Sequence, residues 1–141
     1  MTSLSEFNRR TIEEFRENHG KVGGQFEGAP LLLLHTLGAR SGQHRVHPVM
    51  YMAEGDRYLV FASKAGADTH PDWYWNLRAH PHVKIEVGDL TLDVEASELA
   101  EPERTEKYRV QAERYPGFAD YERKTDRVIP VIALDPIEQT P

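Results

Sequence analysis

Leu31-Leu32-Leu33-Leu34-His35-Thr36-Leu37-Gly38-Ala39-Arg40-Ser41-Gly42-Gln43-His44-Arg45 opens the segment, running on to Leu77, around which this chain is arranged. An apolar run passes into a basic loop bounded by two glycines, and apolar segments follow at 46–52 and 57–63. Short apolar runs separated by turn residues read as strands, here about 31–37, 46–52 and 57–63. Glu54-Gly55-Asp56 is a hairpin turn between the second and third. No acidic residue lies between Ala29 and Ala53, although the chain as a whole carries a formal charge of −6. A basic, glycine-bounded loop between strands is a physically reasonable place to hold an anion.

Working outward, 82–87 and 90–96 form another hairpin around Gly88-Asp89, and Pro71 starts a short helix through about Ala79 with Asp72 in its first turn. Pro102 opens a helix over 102–114 that Tyr115-Pro116-Gly117 breaks, and 128–134 is a last strand whose Pro130 suggests an edge or bulge. Upstream, Ser3 or Ser5 can cap a first helix ending near His19-Gly20, with Leu4, Phe7, Ile12 and Phe15 along one edge. That helix either packs on the domain or, as a surface helix, touches lipid or covers a ligand. A flexible segment around Gly23-Gly24 follows it. Adjacent hairpins with helices between them predict an α+β fold, an antiparallel barrel with helices outside it. Residues 1–141 form one domain, of which 1–27 are the first helix and its flexible connection.

With 141 residues, 39% hydrophobic and 28% charged, the chain can bury a core without staples. Its net negative charge argues against general nucleic-acid binding, which depends on neutralising many phosphates. The absence of cysteine removes disulfides, thiol nucleophiles and cysteine-ligated metals. No basic region followed by an apolar one opens the chain, and no apolar run nears the roughly 20 residues of a membrane span. The expectation is a soluble cytoplasmic protein.

In the loop 38–45, Gly38 and Gly42 allow close approach of backbone amides to an anion, Ser41 adds a hydroxyl, and Arg40 and Arg45 supply charge. The same residues would equally serve a solvated hairpin. It is not a Walker loop, because no lysine-serine ending and no helix follow. Ser63-Lys64-Ala65-Gly66 lies where a strand ends; Lys64 could meet an anion and Gly66 could let a flat ligand approach backbone, or the lysine is simply exposed. Trp73, Tyr74, Trp75 and Asn76 crowd one short helix, where a buried Asn76 amide must find partners. Tyr115, Phe118 and Tyr121 recur every three residues and could wall an apolar pocket or form an ordinary packing edge; a tyrosine hydroxyl there could donate a proton. Seven histidines include the close pairs His44/His47 and His80/His82, without a zinc-helix motif, so no metal is expected. No Gly-x-Ser-x-Gly elbow supports a serine hydrolase.

Taken together, Leu31–Thr36, Gly38-x-Arg40-Ser41-Gly42-x-x-Arg45, Pro48–Tyr51, Val60–Ala67, His70–Trp73, Asn76-Leu77-x-Ala79-x-Pro81, Tyr115–Tyr121 and Arg127-x-Ile129-Pro130-Val131 resemble the deazaflavin-dependent nitroreductase family. That family is a split β-barrel group of actinobacterial oxidoreductases. The resemblance implies coenzyme F420, a deazaflavin with a phosphodiester and an oligoglutamate tail. It implies that Gly38, Arg40, Ser41, Gly42 and Arg45 meet the phosphate and tail. Ser63, Lys64, Ala65, Gly66, Trp73 and Asn76 would surround the ring and its linker, with Pro48 and Tyr51 lining the ring's approach. The implied activity is hydride transfer from the reduced coenzyme to a quinone, nitroaromatic or other activated acceptor, with Tyr115, Tyr121, Ser63 or water supplying the proton. Tyr115, Phe118 and Tyr121 would line the acceptor pocket.

Two departures stand out. Ala39 replaces a residue that is often basic, which implies weaker phosphate binding. Phe118 replaces a tyrosine whose hydroxyl assists reduction of bicyclic nitroimidazoles, which implies weak or absent activity on them. Related barrels often pair, so a homodimer is a further expectation, as is peripheral membrane contact through the first helix. Two other readings keep the fold: a barrel that binds FMN instead, and a non-catalytic protein that sequesters the coenzyme or a hydrophobic anion.

Overall fold

A computed structural model describes residues 4–23 and 30–137. Its helices are α1 (Leu4–Glu17), α2 (Asp72–Ala79), α3 (Glu103–Arg114) and α4 (Gly117–Lys124). Its strands are β1 (Leu31–Leu37), β2 (His44–Glu54), β3 (Arg57–Phe61), β4 (His82–Val87), β5 (Leu90–Glu98) and β6 (Val131–Pro136). The strands close into an antiparallel barrel in the order β1-β2-β3-β6-β5-β4, and a 3-10 turn, Lys64–Gly66, follows β3. The expected α+β barrel is thus what the chain forms.

The continuous leucine run of β1 has a direct cause. Leu32 and Leu34 point into the barrel with Val60, Ile85, Val94, Ile132 and Leu134, while Leu31 and Leu33 lie under Phe15 and Ile12 of α1. Both faces are covered, so neither can be polar. β3 and β6 follow the same rule: Leu59, Phe61, Val131 and Ala133 face outward and are covered by Tyr108 of α3 and Phe118 of α4. Each such side chain contributes roughly 1.5–3 kcal/mol on burial. Helix α2 adds Trp73, Tyr74 and Leu77 to the barrel's interior cluster.

Several boundaries differ from expectation. β2 starts at His44, because pairing with β1 continues to Leu37↔His44, and β3 stops at Phe61 rather than residue 63. The break at Tyr115-Pro116-Gly117 also starts a helix: Pro116 has φ −57° and ψ −20°, and α4 follows at once. The last strand begins at Val131, not 128, since Arg104 Nη1 donates to the Ile129 carbonyl at 2.8 Å. Pro130 therefore lies just before a strand that is flanked on both sides, not on a barrel edge. The predicted Ser3 cap and the Gly24 end of the flexible segment lie outside the described residues. Among the described residues no helix is long and apolar enough to cross a membrane.

Candidate functional site

The hairpin loop joining β1 to β2 is built by its glycines in a specific way. Gly42 has φ +68°, and its N–H closes back on the Gly38 carbonyl at 2.9 Å. A Cβ on Gly38 would meet Ser41 Oγ at 2.5 Å, so no other residue fits there without a shift. The glycine amides are nevertheless spent inside the loop: Gly38 N–H donates to Gln43 O, and Gln43 N–H donates to Ser41 Oγ. Ala39 N–H donates to Asn76 Oδ1 at 2.9 Å. Among the described residues, the amides of Arg40 and Ser41 have no acceptor. The donors left for an anion are those two, together with the exposed Arg40 and Arg45 guanidiniums.

These groups line an open cleft of about 910 Å³ whose other walls are His47 of β2 and Asp72, Trp75 and Asn76 of α2. Asn76, only 6% exposed, joins the two walls. Its Nδ2 donates to Thr36 Oγ1 at 3.0 Å, and Thr36 Oγ1 lies 3.0 Å from His47 Nε2. Since the Thr36 hydroxyl already accepts from Asn76, its own proton is best placed on His47 Nε2, leaving the His47 proton on Nδ1. Burial, aided by the nearby Arg45 and against the pull of Asp72, lowers the His47 pKa to about 4.

The folded chain therefore binds fewer protons at His47 than the unfolded chain between pH 6.5 and about 4. Stability from this site is complete above pH 6.5 and is lost as pH falls through that window, by up to about 3 kcal/mol. Denaturant titrations of the wild type and His47→Gln should show the acid-side slope flattening in the variant; parallel slopes would contradict this assignment.

The other predicted site residues divide into two groups. Ser63 and Lys64 stand at the lip where β3 ends. Ser63 is 9% exposed, and its hydroxyl has no partner among the described residues. Lys64, with φ +46°, donates to Thr69 Oγ1 at 3.2 Å. Ala65 is the middle residue of the 3-10 turn. Gly66, at φ +84°, packs on α4: a Cβ there would lie 3.0 Å from the Tyr121 carbonyl oxygen and from Lys124 Cβ. Its glycine is thus required by helix packing, a reason different from the flat ligand the sequence suggested.

Other expectations need correction. Trp73 is 7% exposed and belongs to the barrel core; the tryptophan on the cleft is Trp75, 46% exposed. On a helix Trp73 and Leu77 share a face, and that face is the buried one. Tyr51 is half-buried against the barrel interior, edge-on to Tyr58, and does not line the cleft. Phe118 is 8% exposed and packs edge-on against Phe61 and Tyr121. Tyr115 and Tyr121 are half-buried beside that same cluster. Of the histidines, the pair in contact is His35 with His44, at 2.7 Å, rather than His44 with His47. His35 also reaches Glu86, which Arg16 of α1 grips through two hydrogen bonds.

Sequence reasoning named His47, Trp75 and Arg127 but assigned none of them to the site. Arg127 donates to the carbonyls of Ala62, Ser63 and Ala67 and to His70 Nδ1. The signal for it was present only as part of the closing Arg-x-Ile-Pro-Val match.

An antiparallel barrel with an arginine-lined cleft at its first hairpin offers an anion charged and backbone donors. The family model for F420H(2)-dependent quinone reductase matches residues 7–136. An F420H(2)-dependent quinone reductase of Mycobacterium tuberculosis is 37% identical over 124 residues, covering 85% of this chain and 83% of that protein. The solved F420-H2 dependent reductase FDR-A is 42% identical with a TM-score of 0.68, over 75% of this chain and 94% of that one. A structure described as a domain-swapped dimer is 37% identical with a TM-score of 0.71, covering 94% and 100%. The chain belongs to the F420H(2)-dependent quinone reductase family. It is accordingly an oxidoreductase, and its cofactor is coenzyme F420.

Proposed function

We propose that this chain catalyses two-electron reduction of a quinone by reduced coenzyme F420, and that the cleft between the 38–45 loop and α2 receives the coenzyme's phosphodiester and glutamate tail. The observation that carries this reading is the pair of exposed arginines beside two backbone amides without acceptors, in a cleft of about 910 Å³. The coenzyme, when bound, supplies the hydride.

The chain's own work is binding, orientation and proton supply. Arg40, Arg45 and the amides of Arg40 and Ser41 would hold the tail, and Ser63 and Lys64 would meet the ring at the lip. Trp75 offers an apolar face beside the tail's path, and Asp72 repels the tail from the start of α2. The Ser63 hydroxyl, without a partner among the described residues, is the best supported of the proton sources; Tyr121 stays in the proposal through the contact of α4 with the 3-10 turn, and Tyr115, at the end of α3, as a second tyrosine beside α4. A 37% identical neighbour solved as a domain-swapped dimer supports pairing of this chain too. Nitroaromatic reduction is a narrower version of the same proposal, weak in this chain because Phe118 brings no hydroxyl.

Titration of the purified protein tests the cofactor: oxidised F420 should bind about a hundredfold more tightly than FMN. Menadione should then drive reoxidation of the reduced coenzyme, while a bicyclic nitroimidazole is turned over more slowly than by Phe118→Tyr. Equal affinity for FMN would favour the flavin reading, and tight F420 binding without turnover of any quinone would favour sequestration.

A further inference from the structure

Within the closed barrel, the ladder between β2 and β3 ends before the chain leaves β3. Pairing of these strands runs from Glu54↔Arg57 to Tyr51↔Val60. The same register would continue through Met50↔Phe61, Val49↔Ala62 and Pro48↔Ser63, yet it stops, while β2 runs on to His44 paired with β1 alone. Phe61 O, which would accept from Met50 N–H, is taken by Ser63 N–H, and Pro48 keeps the ladder from resuming further along. Tyr51 N–H donates to Pro30 O across the β1 side, so odd-numbered β2 residues bond toward β1 and even-numbered ones toward β3. Pro48 is therefore the residue that would have to donate to Ser63 O, and it has no N–H.

Arg127 takes what Pro48 cannot. Its Nη2 donates to Ser63 O at 2.7 Å, its Nη1 to Ala62 O and His70 Nδ1 at 3.0 Å each, and its Nε to Ala67 O at 2.7 Å. Ala62 N–H is drawn the same way, to Pro130 O at 2.9 Å. Among the described residues, Arg127 has no carboxylate within ion-pair distance, so three carbonyl dipoles and one imidazole lone pair share its charge. Ser63 N–H turns back onto Phe61 O at 2.8 Å. No ladder pair then joins Pro48 to Ser63.

We infer that Arg127 is a positioning residue that holds the lip 62–67 away from β2 and so keeps the end of that ladder open for the flat ring. Pro48 keeps the ladder from re-forming on the opposite side. The part concerning the ring rests on the proposed function; the part concerning the lip does not.

Arg127→Met and Pro48→Val test it from opposite sides. Without ligand, Arg127→Met should speed hydrogen exchange of the Gly66 and Ala67 amides about tenfold or more, with β4–β5 amides unchanged. Pro48→Val, which restores a donor to a strand, should instead slow exchange at the Ser63 amide, and it remains informative if Arg127→Met fails to fold. For the ring, the probe is the deazaflavin with its ribityl chain but no phosphodiester or glutamates, followed by its fluorescence. Both variants should bind it about tenfold more weakly, raising KM for the reduced coenzyme with kcat at saturation little changed. Arg127→Lys keeps the charge without the fork and should recover only part of the affinity.

Unchanged exchange at 66–67 in Arg127→Met, or acceleration spread equally over β4–β5, overturns the inference. Ring binding unchanged in both variants overturns its functional half. A wild-type protein that binds no deazaflavin overturns the cofactor reading instead, and the exchange measurements still decide whether Arg127 holds the lip.

Discussion

Replacing Arg40 and Arg45 together by methionine should raise KM for reduced coenzyme F420 about a hundredfold and leave kcat at saturation close to that of the wild type. Both side chains are exposed on the cleft, and among the described residues Arg45 is tethered only to Gln43 Oε1, at 2.9 Å. Removing them takes away two charge-assisted contacts to an anion without opening a cavity in the core. The wild-type KM should rise with ionic strength as salt screens these exposed charges, and the double variant should be less sensitive to salt. Affinity for the tail-less deazaflavin should not change. This last comparison is decisive: if both ligands weaken equally, the arginines act on the ring or the fold, and the tail lies elsewhere. Ala39 leaves a vacancy for charge beside them, so Ala39→Lys should tighten coenzyme binding in the same assay.

A second large effect is expected at Asn76, where one amide holds two elements in register. Its Oδ1 accepts from Ala39 N–H, its Nδ2 donates to Thr36 Oγ1, and its own carbonyl accepts from His80 N–H at the end of α2. Asn76→Leu keeps the approximate volume but leaves the Ala39 amide without its acceptor and the Thr36 hydroxyl without its donor. The expected cost is about 3 kcal/mol, or a fall in Tm of about 10 °C. Coenzyme affinity should fall as well, because the Arg40 and Ser41 amides sit in the loop that Asn76 anchors. Asn76→Asp, which keeps an acceptor for Ala39 N–H, should retain more of the loop's protection from hydrogen exchange than Asn76→Leu. A Tm within about 2 °C of wild type for Asn76→Leu would show that the loop holds itself in place.

The two predictions separate roles that the residue pattern joined together. Arg40 and Arg45 could be read as anion-binding from their types and from the lack of acidic neighbours. Asn76 was informative for a different reason, since a buried amide must be satisfied and its partners had to be found elsewhere in the chain. Gly66 shows the limit of such reading: a glycine at a strand end suits close approach by a ligand or by a helix, and here the helix is α4, some 55 residues further along. The aromatic cluster has the same limit. Trp73 and Trp75 are two residues apart on a short helix, and only the position of the barrel decides which is buried.

Local rules alone determined the strand and hairpin content, the closing of the first hairpin by Gly38 and Gly42, and the accumulation of positive charge at its tip. Those features depend on residues near one another in the chain. Tertiary structure decided which loop amides lack an acceptor among the described residues, which tryptophan meets the cleft, that Phe118 is buried, and that a guanidinium 64 residues away from Ser63 captures its carbonyl. Each of these depends on what covers a face or captures a carbonyl from a distant element, and neither composition nor periodicity carries that information.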